Sequence, residues 1–331
     1  MLFRNSIKLL MENFKGVYKI LLYKFIVSLI AGALFAAMIL PELIEIVNSV
    51  ETQALWLDIQ AMFKAFFAAN GSALEMAKAS IFGLDGTLNG VVKLILSKMT
   101  AIVLTAIGCV AVYLLKRFTE TLCYFAVGSS LNDRMSAYAE TPFIASYVQN
   151  LGKASRYALV YVPSVFLLDA VTISLSLLVL TNLNIFPALF LSVTLIVVMQ
   201  ATKLTFTGLW MPSMTADNKP LKQSFAYDKT ERKQLPKIFS TYVVTVYGVI
   251  ILNVIAAVCT FGSALLITVP ASYMLFICVQ YVNYYTIKGK KYFITYDKIA
   301  SNPDRGDREH FFDYITQTEE TSEKQEIENK E

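Results

Sequence analysis

The sequence predicts an all-α integral membrane protein: six transmembrane helices in three tandem hairpins, each led by a cytoplasmic amphipathic helix. Three observations predict it. Of 331 residues, 56% are hydrophobic and 16% charged, against about 25% charged in an ordinary soluble domain. The apolar residues gather in blocks near the ~20 residues a helix needs to cross roughly 30 Å of hydrocarbon: Tyr18–Leu40, Met99–Phe118, Tyr157–Leu180, Ile185–Leu209, Thr241–Phe261 and Ser263–Thr286. Basic residues, finally, cluster at alternate ends of these blocks, which fixes orientation because cytoplasmic loops carry the Lys/Arg excess.

The first element, FRNSIKLLMENFKGVYKILL, places Ile7, Leu10, Phe14 and Val17 at helical spacing among basic residues. That pattern favours a helix lying in the headgroup region, and the long basic stretch argues that the first span is retained rather than cleaved as a signal peptide. The first span is followed by an extracytoplasmic insert, residues 41–98. There Trp56, Ile59, Phe63, Phe66 and Phe67 form one stripe, as expected of helices lying on the outer leaflet or over the end of the bundle. Arg117 and Arg134 after the second span, Lys203 and Lys219 after the fourth, and Lys288 after the sixth mark the cytoplasmic side. Both termini are then cytoplasmic, in a multi-pass plasma-membrane protein. The aromatic, basic run NYYTIKGKKYFITYDK reads as interfacial anchoring. The membrane domain therefore covers 1–298, and 299–331 is an acidic, disordered tail. From Asp304 onward the chain holds ten acids and four bases, so the net +4 of the whole leaves +10 (25 minus 15) on the remainder, as suits a protein facing anionic lipid.

An internal repeat underlies the three hairpins. VFLLDAV (165–171) falls on VIILNVI (249–255) at an offset of 84, setting Asp169 over Asn253. AVGSSLNDR (126–134) falls on MPSMTADNK (211–219) at 85, and ENFKGVYK (12–19) on QNLGKASR (149–156) at 137. The polar triplets Asn132-Asp133-Arg134 and Asp217-Asn218-Lys219 coincide. The lead-in helices begin near Ser6, Ser146 and Ser224, each a candidate N-cap. Repeats of parallel topology are related about an axis along the membrane normal.

Asp169 is the residue that a lipid-spanning helix least tolerates. It lies 13 residues after Arg156, about 20 Å along a helix, where a charged aspartate costs at least ~2.5–3.5 kcal/mol on insertion scales. It must be neutral, face the interior or meet a partner. Asn253 is expected at equal depth; Lys203 is the nearest cation, Arg117 its repeat counterpart, and Gln200, Gln280 and Asn283 add polarity. Pro163 lies in the same span, where it can kink the helix. The candidate polar site is therefore Asp169, Asn253, Lys203, Arg117, Gln200 and Gln280. It reads either as a cytoplasm-facing cavity of a carrier or as a set of interhelical hydrogen bonds.

Enzyme chemistry finds no support: HExxH, the phosphate-binding GxxxxGK[ST] loop and GxSxG are missing, and His310 is the only histidine. Neither catalytic residues, a metal site nor a cofactor is expected. Cys109, Cys123, Cys259 and Cys278 lie in or beside spans without CxxC spacing, and read as small hydrophobes. Nucleic acid is not an expected partner. Anionic lipid headgroups at the basic lead-in helices are, and another membrane protein is a further expected partner.

At WMPSMTADNKPLKQSF (210–225) and ITVPASYMLFICVQYVNYY (267–285) the chain resembles the multi-span membrane domains found ahead of some bacterial glycerophosphodiester phosphodiesterases, and their stand-alone Gram-positive relatives. The shared pattern is a small-polar turn, a Ser-led amphipathic helix, and a hairpin closing with a Pro and a Tyr-rich end. It covers about the last 180 residues. The phosphodiesterase domain itself is missing, so the resemblance implies a membrane-embedded helper with no catalytic residues to carry over. Two functions are expected: an accessory, scaffolding or lipid-handling component of the bacterial envelope, or a small secondary transporter. Three tandem hairpins resemble the layout of mitochondrial carriers, whose Px[DE]xx[KR] kinks are missing.

The topology is directly testable. In a cysteine-free background, single cysteines at Ser72 and Ser322 should react with an impermeant thiol reagent from opposite sides of the membrane. Same-side labelling contradicts the orientation.

Overall fold

A computed structural model of the protein describes residues 2–83, 86–296, 298–302 and 307–310. It is helical almost throughout, as the apolar blocks require, because a backbone in hydrocarbon must satisfy its own N–H and C=O groups. The helices are α1 (Leu2–Glu12), α2 (Lys15–Val47), α3 (Val50–Phe67), α4 (Gly71–Phe82), α5 (Thr87–Ser97), α6 (Met99–Ala137), α7 (Phe143–Asn182), α8 (Ile185–Thr207), α9 (Trp210–Ala216), α10 (Leu221–Ser224), α11 (Lys229–Cys259) and α12 (Leu265–Ile287). Seven stretches are long and apolar enough to cross a membrane. Six match the predicted spans. The seventh, Gly71–Ser97, falls in the insert, but Gly83 and Gly86 interrupt it into helices of 12 and 11 residues, each short of the ~20 a crossing needs.

The chain divides into two compact units, Met1–Ile26 with Arg117–Glu331, and Val27–Lys116. In the second, α3 packs on both α4 and α5. The Asp58 carboxylate joins all three, accepting from Ser80 Oγ at 2.7 Å and Thr87 Oγ1 at 3.1 Å. Trp56, Phe63, Phe66 and Phe67 of the predicted stripe stay exposed.

In the first unit, α7 pairs with α8, α8 with α11, α11 with α12, and α12 with α1. Burial is uneven along the helices. Cys123–Met135 of α6, Ala201–Met214 and Met274–Tyr285 of α12 contribute most of the buried side chains. Toward the hairpin turns, Leu167, Ile173 and Leu177 of α7 and Phe186 and Phe190 of α8 are exposed, an apolar surface of the kind that meets a membrane or a partner protein. The protein therefore has a well-packed base at its basic end, and α12 runs through it.

Two expectations are corrected, and α1 has partners that the sequence reading missed: Asn5, Ser6, Leu9 and Leu10 are buried, because the helix packs on α12 and on a strand. Ser6, Ser146 and Ser224 are not N-caps. Ser6 and Ser224 lie inside or at the end of their helices, donating to Leu2 O and Pro220 O. Ser146 lies within α7 and donates to Ala126 O of α6 at 2.8 Å. Pro142 precedes α7, and Asp228 opens α11 in a capping box with Glu231. Only α1 is a separate lead-in helix; in the second and third hairpins the lead-in runs unbroken into the span, straight across Pro163 in α7.

The run after α12 is likewise more than an anchor. Tyr292–Thr295 (β1), Lys298–Asn302 (β2) and Asp307–His310 (β3) form an antiparallel sheet in the order β1-β2-β3. Tyr292 is buried and accepts from Asn5 Nδ2 at 3.2 Å. The sheet carries regular structure past residue 298, and the rest of the predicted acidic tail, from 311, lies outside the described residues.

The two polar triplets meet consecutive tyrosines of α12. Tyr285 donates to Asn132 Oδ1 at 3.0 Å; Tyr284 donates to Asp217 Oδ2, which Lys290 also pairs. Nearby, Lys288 pairs with Asp228 at 2.9 Å and Glu231 at 2.8 Å. Burial raises the Asp217 carboxyl, and the Lys290 and Tyr284 hydrogen bonds outweigh it and hold it below the usual value. The hydrogen bond from Lys288 holds Asp228 low as well. Burial pulls Lys288 down, and the Glu231 and Asp228 carboxylates outweigh that, raising it.

The signs give a pH window. Depressed carboxyls contribute stability above their unfolded value of about 3.9, lost as pH falls through the folded one; a raised lysine contributes below about 10.4, lost as pH rises through its folded value. Thermal unfolding in detergent should be flat near neutrality and drop on the acid side, and Asp217→Asn should shrink that drop. An acid limb unchanged in Asp217→Asn contradicts the assignment.

Candidate functional site

Asp169 has partners, and both come from the neighbouring helix of its hairpin. Lys203 Nζ of α8 lies 2.7 Å from Asp169 Oδ1, and Gln200 Nε2, one turn earlier, donates to the same oxygen at 3.0 Å. Spacing i, i+3 puts Gln200 and Lys203 on one face of α8, and the antiparallel hairpin brings that face to α7. Both side chains of the pair are mostly buried, at 21% and 11% exposure. The acid is therefore paired rather than facing acyl chains alone.

A second charge cluster adjoins it, and its centre is Glu120, a residue absent from the predicted set. Its side chain is 3% exposed, with Lys24 Nζ of α2 and Arg117 Nη1 of α6 each 3.7 Å away. Lys24 also donates to Tyr124 Oη at 3.1 Å and sits 3.7 Å above the ring of Tyr273 in α12, a cation–π contact. Tyr124 and Tyr273 stack at 5.1 Å. The two clusters draw their residues from α2, α6, α7, α8 and α12. Together they contain three cations, Lys24, Arg117 and Lys203, and two acids, Glu120 and Asp169.

Of the six predicted residues, the structure brings together Asp169, Lys203 and Gln200, while Arg117 pairs with Glu120. Asn253 is a correction. It donates to Ser272 Oγ at 3.0 Å and accepts from Thr268 Oγ1 at 2.8 Å, both on α12. The reason is depth: α7 continues 13 residues beyond Asp169, to Asn182, whereas α11 continues six beyond Asn253, to Cys259. At 1.5 Å per residue the two stand about 10 Å apart relative to their hairpin turns. Gln280 is buried in α12, but among the described residues Asp169 receives no bond from it. The missed members, Lys24, Glu120, Tyr124 and Tyr273, have one available signal: Arg117, Glu120 and Tyr124 recur at i, i+3, i+7 on one face of α6. Lys24 reads in the sequence only as a flanking charge.

The chain was compared with family models, curated proteins and solved structures. None of them matches it. Among the described residues no group of three or more His, Cys, Asp or Glu side chains could hold a metal ion. The network itself pairs acids with bases, leaving no carboxylate dyad.

Removing one partner of a buried ion pair leaves the other charge stranded, at about 3–5 kcal/mol. Asp169→Leu should therefore destabilise the protein by roughly that much, Asp169→Asn by less, and Asp169→Leu with Lys203→Met should recover most of the loss. Melting curves in detergent decide this: equal loss in Asp169→Leu and in the double variant refutes the pairing.

Proposed function

We propose that this chain is a non-enzymatic, multi-pass protein of the bacterial plasma membrane that handles anionic lipid, with three tandem hairpins and both termini cytoplasmic. The observation that supports this reading is the composition of the buried network. Three cations against two acids leave one positive charge in excess, at the level where the packed base gives way to exposed apolar helix surface. A lipid phosphate has the charge to balance that excess, while its acyl chains match the uncovered faces of α7 and α8. The basic residues along the same end of the molecule, Lys15, Lys19, Lys153 and Lys219 among them, suit an anionic leaflet. The resemblance to membrane domains associated with glycerophosphodiester phosphodiesterases fits a helper at a phospholipid surface.

A second reading, a small carrier, rests on one specific contact: both donors to Asp169 converge on Oδ1. A pair of that kind can part when the acid is protonated. The two readings separate by whether the network variants lose lipid or lose ion-coupled uptake.

Purification in mild detergent, with lipids identified by mass spectrometry, should show phosphatidylglycerol or cardiolipin enriched over the membrane extract. Each charge removed in Lys24→Gln, Arg117→Gln or Lys203→Gln should cut that enrichment about fivefold, the equivalent of ~1 kcal/mol per cation. A co-purified lipid profile identical to the extract would sink the proposal.

A further inference from the structure

A cavity of about 170 Å³ opens between the start of α2, the end of α6 and the start of α7. One ordered water needs about 10–15 Å³ on the same measure, so the space is large enough for a polyatomic group. Its walls divide by chemistry. Lys15 and Lys19 of α2 and Arg134 of α6 supply the charge, and Val127, Phe143 and Met274 an apolar floor. Lys15 and Lys19 stand one turn apart on one face, and among the described residues neither makes an ion pair or a hydrogen bond.

Arg134 is held differently. Its Nη1 pairs with Glu140 at 3.0 Å and its Nη2 with Glu12 at 3.2 Å, and the guanidinium lies 5.0 Å from the centre of the Tyr138 ring. Its Nε is buried and has no partner, a costly state for a charged donor. The first turn of α7 begins at this rim, and its N-cap Pro142 offers no side-chain acceptor. The leading N–H groups of that helix add to the positive potential. Glu140 lines the cleft and Glu12 pairs with Arg134, so three cations meet two acids.

We propose that this cleft is a phosphate-binding site, and that it seats the phosphate of an anionic phospholipid headgroup with the glycerol portion against Val127, Phe143 and Met274. The assignment rests on the lipid-handling reading above and deepens it. Two ammonium groups without a partner among the described residues match the acceptor oxygens of a phosphate, and an apolar floor beneath them matches the part of a lipid where head meets chain. Val127 and Met274 lie next to the buried network, since Tyr124 is one turn from Val127 on α6 and Tyr273 adjoins Met274 on α12. Along α2 the cations follow one another as Lys15, Lys19 and Lys24, from the cleft to the network.

The test uses the full chain in detergent, titrated with short-chain phosphatidylglycerol and, separately, with inorganic phosphate, with binding read as a rise in melting temperature. The lipid should stabilise the wild type, and Lys15→Gln with Lys19→Gln should bind it roughly 25-fold more weakly, about fivefold per cation. Lys15→Arg with Lys19→Arg should restore binding, which separates loss of the site from loss of fold. A stronger response to the lipid than to inorganic phosphate supports the headgroup; an equal response, lost in the same double Gln variant, keeps the phosphate site and makes the free anion its ligand. Wild-type affinity in the double Gln variant overturns the site. If that variant still loses lipid when Lys24→Gln is added, the lipid reading survives without the cleft. If no form responds to lipid, the lipid reading itself fails.

Discussion

The pairing of charges inside the helical bundle is the constraint on which the rest of this structure depends. A carboxylate leaves water only if something replaces its hydration, because two charges repay their desolvation only with close geometry and further hydrogen bonds. Asp169 meets that condition through Lys203 and Gln200, one hairpin supplying both sides of the contact. Glu120 meets it by drawing Lys24 and Arg117 toward one buried side chain. The ion pairs thus link α2 to α6 and α7 to α8.

Packing follows from that placement. α12 is the helix whose basic-end half is buried most completely, and its tyrosines carry their hydroxyls to polar partners: Tyr281 to Thr215 at 2.8 Å, Tyr285 to Asn132 at 3.0 Å. Large aromatic bodies fill the base, and the hydroxyls of Tyr281, Tyr284 and Tyr285 meet polar partners there. Gly208, where α8 breaks before α9, shows how close this packing is, since a Cβ there would stand 2.2 Å from the Tyr242 hydroxyl. The turn-ward halves of α7 and α8 make no comparable demands and remain apolar surface.

The helices were legible because hydrophobic blocks of spanning length admit little else. Asp169 as the residue needing a partner was legible too, since hydrocarbon makes any acid conspicuous, and Lys203 and Gln200 stood at reachable positions on the next span. Asn253 was misplaced because the repeat alignment fixes position along the sequence but not the length of helix beyond it. Lys24 was missed because a lone lysine near the end of an apolar block reads as one that reaches back to the interface, and Glu120 for a related reason. A hydropathy block ends where charges begin, yet α6 continues as helix through Ala137 and buries those charges against other helices. The strand at Tyr292 had no legible signal, because an aromatic, basic run beside a span looks the same whether it meets headgroups or protein.

Photoreactive phosphatidylglycerol, incorporated in vesicles with the full chain and mapped by peptide mass spectrometry, tests the central claim most directly. Lipid held at the basic end should label peptides around Lys19–Lys24 and Ser130–Tyr147 in preference to the exposed faces of α7 and α8, and an excess of unlabelled phosphatidylglycerol should suppress it. Labelling spread evenly over the exposed apolar faces, with no competition, would contradict the account.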